Sequence, residues 1–131
     1  MSKQTNEITI LSAKAATGVD NTLLVSDYET ITVSFATANS GSMTVKCAGS
    51  LSETSPTWTS AQSVSNMYDF IQMVDLNDGS TLDGDTGVVL TGTDDFRQFE
   101  INVNGLKWLT FRVTAWAAGN VTVKATGFKQ D

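Results

Sequence analysis

Four aspartates, one asparagine and three glycines crowd into the thirteen residues DLNDGSTLDGDTG at positions 75–87. Calcium coordination is the chemistry such a stretch suggests. A calcium loop of the EF-hand type needs oxygen ligands at its first, third and fifth positions, glycine at the sixth and a bidentate acid at the twelfth, so that the chain wraps one ion. Counted from Asp75, the third position is Asn77, but the fifth is Gly79, the sixth Ser80 and the twelfth Thr86. The spacing fails as a ligand set and succeeds as turn chemistry, because Asn77-Asp78-Gly79 and Asp83-Gly84-Asp85 supply residues that tolerate positive φ between strands. The stretch is expected to be a loop that does not depend on metal; weak or interface calcium is the alternative.

Catalytic chemistry has few residues to work with. The chain contains no histidine, which closes Ser-His-Asp and Cys-His nucleophilic systems and histidine metal centres. Carboxylates remain. Asp94 and Asp95 are adjacent, and adjacent strand residues point to opposite faces, so they do not share a ligand or flank one bond. A hydrolase would need acids from separate strands, such as Glu100 with one from the Asp75 loop. The single cysteine, Cys47, cannot form an internal disulfide or a zinc site and is expected to be a small buried side chain. No catalytic, cofactor-binding or metal-binding residue and no cofactor is assigned.

Three tryptophans, Trp58, Trp108 and Trp116, could stack on sugar rings, fill a core or form a subunit contact. In LKWLTFRVTA, Leu109, Phe111, Val113 and Ala115 alternate with Trp108, Thr110, Arg112 and Thr114. Regular alternation would set Trp108, Arg112 and Trp116 on the face opposite a complete apolar set. Interfaces enrich Trp and Arg, so these three are expected to form an oligomer contact.

The elements that must carry these residues read as strands. Ile31, Val33 and Phe35 alternate with Thr32, Ser34 and Ala36, and Met43, Val45 and Cys47 repeat the pattern, as expected for strands with one face on a core. The link ANSG between them predicts a hairpin, and AAGN before VTVKATG predicts a last turn. EITIL, NTLLV and FEINV predict further strands. NMYDFIQMVDL is apolar on both faces; a helix is possible, but its β-branched and aromatic content favours one strand buried on both sides or at a subunit contact. No capped amphipathic helix is visible. The expected fold is all-β, an antiparallel, jelly-roll-like β-sandwich of about seven to eight strands, with residues 1–6 as a flexible tail and 7–131 as a single domain.

Composition limits the partners. The 131 residues include 40% hydrophobic residues, one proline and a formal net charge of −6, which suits one ordered domain and argues against nucleic acid or an anionic membrane as partner. MSKQTNEITIL has no apolar run of signal-peptide length, so synthesis in the cytoplasm without a signal peptide is expected.

Two segments carry a resemblance. CAGSLSETSPTWTSAQ, in which a strand ends at Gly49-Ser50 and a short loop leads to Trp58, resembles the "strand, G-S-x-D-G-x-x-W" hairpin of small β-sandwich modules in bacteriophage virion proteins. INVNGLKWLTFRVTAWAAGNVTVKATG is similar to the closing hairpin of those modules, with Asn104, Gly105, Trp108, Arg112, Gly119, Val121 and Val123 on the pattern. Ser52-Glu53-Thr54 replaces the usual Asp-Gly, which implies a longer loop. The resemblance implies a non-enzymatic virion protein of the capsid decoration, head-accessory or tail-associated type. Its partners would be copies of itself, with a trimer preferred because capsid lattices offer threefold sites, and a major capsid or other virion protein. The alternative is a glycan-binding module or phage receptor-binding domain.

Overall fold

The computed structural model describes residues 2–4 and 7–130, with side chains from 7 to 128. Among them are ten strands and no helix: β1 Ser2–Gln4, β2 Ile8–Lys14, β3 Leu23–Leu24, β4 Thr30–Ser50, β5 Asp69–Phe70, β6 Met73–Asp75, β7 Thr81–Leu82, β8 Val88–Thr91, β9 Phe96–Asn102 and β10 Trp108–Gln130. Every strand pairing is antiparallel. The all-β, antiparallel class expected from the sequence is what the chain adopts. Of the 1–6 tail, Met1, Thr5 and Asn6 lie outside the described residues, and Ser2–Gln4 pairs with the end of β10.

Two long strands organise everything else. β4 and β10 pair along their whole length, from Thr30 opposite Phe128 to Ser50 opposite Trp108. Fully extended, the 21 residues of β4 would reach about 70 Å at ~3.3 Å per residue. The ends are far closer than that. Val103 N donates to Glu29 O at 3.1 Å, and Lys107 N to Ser50 O at 2.8 Å, and the four residue steps between those two nitrogens span at most about 14 Å. The ribbon is therefore folded back on itself.

The fold-back lies where turns were expected, but its hydrogen bonding differs. The hairpin predicted at ANSG does not form: residues 30–38 pair with 120–128 and residues 42–50 with 108–118, so the two halves of each long strand bond across the ribbon instead of to each other. Asn39 (φ 57°) and Ser40 (φ 59°) turn β4, and Gly119 (φ 68°) turns β10. The backbones touch at this corner, since a Cβ on Gly119 would lie 2.6 Å from Gly41 Cα. The Asn104-Gly105 turn does form, with Leu106 N donating to Val103 O at 2.9 Å. It crosses between the ends of the folded ribbon and makes no β9–β10 hairpin, because β9 pairs with β4.

The first half of β4 and the second half of β10 are flanked by β9, then β6 and β7, with β2 on the other side. The other halves are flanked by β8, β5 and β3. Ten strands replace the expected seven or eight partly because NMYDFIQMVDL is not one strand. It breaks at Ile71-Gln72 into β5 and β6, which pair with β4 and β9 respectively.

Period two puts Ile31, Val33, Phe35, Met43, Val45 and Cys47 inside, as read from the sequence. The rings of Phe35 and Phe111, from opposite halves of the ribbon, meet edge to face at 5.4 Å, and Phe35 meets Phe99 at 5.3 Å. One core thus joins both halves, each buried phenylalanine contributing roughly 2–3 kcal/mol through burial. Among the described residues no helix is long and apolar enough to cross a membrane.

Candidate functional site

β10 begins beneath the chain's own 51–68 segment. Ser52 N donates to Ser50 Oγ at 3.0 Å and Thr54 N to Ser52 Oγ at 3.3 Å, so hydroxyl-capped turns stand where an Asp-Gly turn was the pattern. The segment returns over the outer side of β10 and β4 and places Trp58 and Tyr68 there, ring centroids 5.2 Å apart. With Ala48 they form a second buried cluster, against which Val19, Phe70 and Trp108 pack.

This cover accounts for two of the three residues assigned to an oligomer contact. Trp108 Nε1 donates to Ser52 O at 2.9 Å. Arg112 donates to Ser60 O at 2.9 Å, to Tyr68 Oη at 2.8 Å and to Thr59 O at 3.4 Å. The guanidinium acts as a clamp on the loop, its planar fork reaching several acceptors at once. The second apolar face of this part of the sheet is covered from within the chain.

Trp116 is elsewhere. A register shift between Val113 and Ala115 inserts an extra residue, which reverses the alternation beyond it. Ala115, expected in the core, is exposed. Trp116 is 42% exposed, and its Nε1 donates to Gly119 O at 2.9 Å. It borders an open cleft of about 400 Å3 with Ser42, Met43, Thr44, Val89 and Leu90; Val89 is 58% exposed. The structure brings Trp108 and Arg112 together and separates Trp116 from them. Nor do the three tryptophans form a common platform, because Trp58 is 6% exposed and lies within the second cluster.

The carboxylates are engaged in shaping the chain. Asp75 is buried against Arg97, and its Oδ1 accepts Asn77 N at 2.9 Å. Asp78 Oδ1 accepts Ser80 N and Ser80 Oγ, at 2.9 and 2.7 Å; those bonds, the side-chain one foremost, hold its carboxyl below the usual range. Asp83 caps its own turn through Asp85 N at 3.2 Å. Around them β6 and β7 form a hairpin. Among the described residues no three metal-ligating side chains cluster. Asp94 Oδ1 accepts Gly41 N at 3.3 Å and Asp95 N donates to Thr37 Oγ1 at 2.8 Å, both at the ribbon's corner. Glu100 faces outward opposite Val74, whereas Asp75 faces inward opposite Phe99, so this pair does not converge on one bond.

The fold has counterparts among solved structures. The SPBc2 prophage-derived protein YomS superposes with a TM-score of 0.72 at 14% identity, covering 98% of this chain and 96% of that one. The PBSX exported protein XepA superposes with a TM-score of 0.68 at 17% identity, covering 98% of this chain but 38% of that one, so this chain spans well under half of XepA. Both are phage-derived proteins, and at these identities the likeness is one of fold. No family model matches the sequence and no curated protein does.

One surface was not foreseen from the sequence. Phe96, at the start of β9, is 60% exposed and borders a second cleft with Arg97, Gln98 and Asn77. Its odd position in the alternation was visible, since Phe96 is out of phase with Phe99 and Ile101. Its setting beside Asn77 depended on strand pairing.

Proposed function

We propose that this chain is a non-enzymatic structural protein of a bacteriophage particle. In this reading it is a capsid decoration or head-accessory protein that assembles with copies of itself on a viral lattice. The observation that carries the reading is the end-to-end likeness to a prophage-derived protein of nearly the same extent, 98% of one chain on 96% of the other. The engagement of Asp75, Asp78 and Asp83 in their own turns, in a chain without histidine, supports a structural role over a catalytic one. The exposure of Trp116 at an open cleft supports self-assembly, because a large apolar side chain left in water is stabilised by a partner.

Light scattering on the purified chain tests this directly. A discrete oligomer is expected, and Trp116→Ala should weaken it at least about thirtyfold, the equivalent of roughly 2 kcal/mol per site, with unchanged circular dichroism. A parent chain that stays monomeric and fails to bind purified particles would remove the proposal. Gold-labelled antibody on particles should decorate heads; label confined to tails would reject the decoration role.

A further inference from the structure

Strand β9 is paired with β4 along its full length, from Phe96 opposite Ala36 to Asn102 opposite Thr30. On its other side β6 accompanies it only at Glu100 and Phe99, and the last bond is Leu76 N to Gln98 O at 3.1 Å. There the chain turns away. The uncovered end of β9 borders a cleft of about 520 Å3, lined by Leu76, Asn77, Asp95, Phe96, Arg97 and Gln98. That size lies in the range of small-ligand sites.

The lining narrows the ligand class. Arg97's guanidinium turns to Asp75 and the Phe99 ring, on the face of β9 opposite Phe96, so it offers an anion in the cleft no free charge. Asp95 adds negative charge, in a chain of net charge −6, which disfavours phosphate, sulfate and nucleic acid further. Two amides and a carboxylate surround the cleft, too polar for a lipid chain. What remains is one large exposed aromatic ring beside groups that both donate and accept hydrogen bonds. A pyranose ring fits both features: its C–H face packs on an aromatic ring while its hydroxyls pair with amides and carboxylates.

We propose that the Phe96 cleft binds a neutral carbohydrate. The site is distinct from the three tryptophans and independent of the assembly reading, since Trp116 lines a different cleft. In the particle it would give a structural subunit a second task, holding a neutral glycan.

The test uses the full chain on an array of neutral oligosaccharides ending in glucose, galactose or N-acetylglucosamine, with sialylated and sulfated glycans and extended peptides alongside. Isothermal titration then follows with the tightest neutral binder for the parent, Phe96→Ala, Asn77→Ala and Trp116→Ala chains. Neutral glycans should bind. Phe96→Ala should weaken binding at least about tenfold with an unchanged melting temperature, Asn77→Ala should weaken it as well, and Trp116→Ala should bind as the parent does. Three results would overturn the proposal: no neutral glycan bound by the parent, full binding retained by Phe96→Ala, or binding confined to anionic glycans or peptides. Light scattering on the same samples reports assembly separately, so loss of one reading leaves the other standing.

Discussion

Cys47 shows how completely a single position is governed by its neighbours. Its parity with Met43 and Val45 predicts burial, and the thiol is buried in the core. Burial pushes its pKa far above the ordinary value of about 9.0, because a thiolate there would lose its hydration. A thiol reagent should therefore label the native chain slowly and the denatured chain at once; rapid native labelling would contradict the register of β4. The linkage sign follows from the raised value. Below about pH 9 both states keep the proton and stability is unaffected, whereas above it only the unfolded state releases it, so stability falls with rising pH by up to ~1.4 kcal/mol per unit. Cys47→Ala should flatten that alkaline loss in urea titrations at pH 8 to 10.

Among the strands and turns, the corner of the ribbon and the β6–β7 hairpin make separate demands. Gly119 combines φ 68° with a Cβ position 2.6 Å from the Gly41 backbone, so a methyl group there meets both torsional strain and a clash that no rotamer relieves. Gly79 has φ 75° but open space around its Cβ position. Gly79→Ala should cost about 1–2 kcal/mol from torsion alone, and Gly119→Ala clearly more. Equal losses in urea denaturation would show that the corner relaxes freely. In the hairpin, the carboxylates that resemble calcium ligands are held by backbone amides, so the melting temperature should be the same in EDTA and in millimolar calcium. A calcium-dependent rise of about ten degrees would reveal a native-state site, since tight binding must stabilise the folded chain.

Taken together, the described residues hold two apolar clusters of unequal size. The main one spans both halves of the ribbon; the smaller rests on Trp58, Tyr68 and Ala48, and Arg112 ties its loop to β10. Among the described residues the buried Trp58 Nε1 and Arg112 Nε find no hydrogen-bond partner, so the smaller cluster carries a polar burden. It should open first. Arg112→Met removes the bonds to Thr59, Ser60 and Tyr68 while keeping much of the side chain's bulk. Hydrogen exchange in residues 51–68 should accelerate at least about tenfold in this variant, with little change in the amides opposite Phe35 and Phe111. Uniform acceleration across all strands would show one cooperative unit instead.

Alternation along the chain by itself determined the strand faces of Ile31 through Cys47 and of Leu109 through Val113. Glycine, asparagine and aspartate placed the turns. Both are local properties, set by the two-residue period of a strand and by the few residue types that accept positive φ. Pairing partners are not local. ANSG and AAGN were legible as places where the chain reverses, but only the tertiary structure decided that the reversals are corners of a β4–β10 ribbon and not hairpins, because β10 competes for the same backbone groups. The same holds for the candidate contact. Trp108 and Arg112 alternate correctly and are covered by a loop some fifty residues earlier, while one extra residue after Val113 moves Trp116 to another surface. The Phe96 cleft exists because β6 leaves β9 early, and no pattern within either strand records where its neighbour departs.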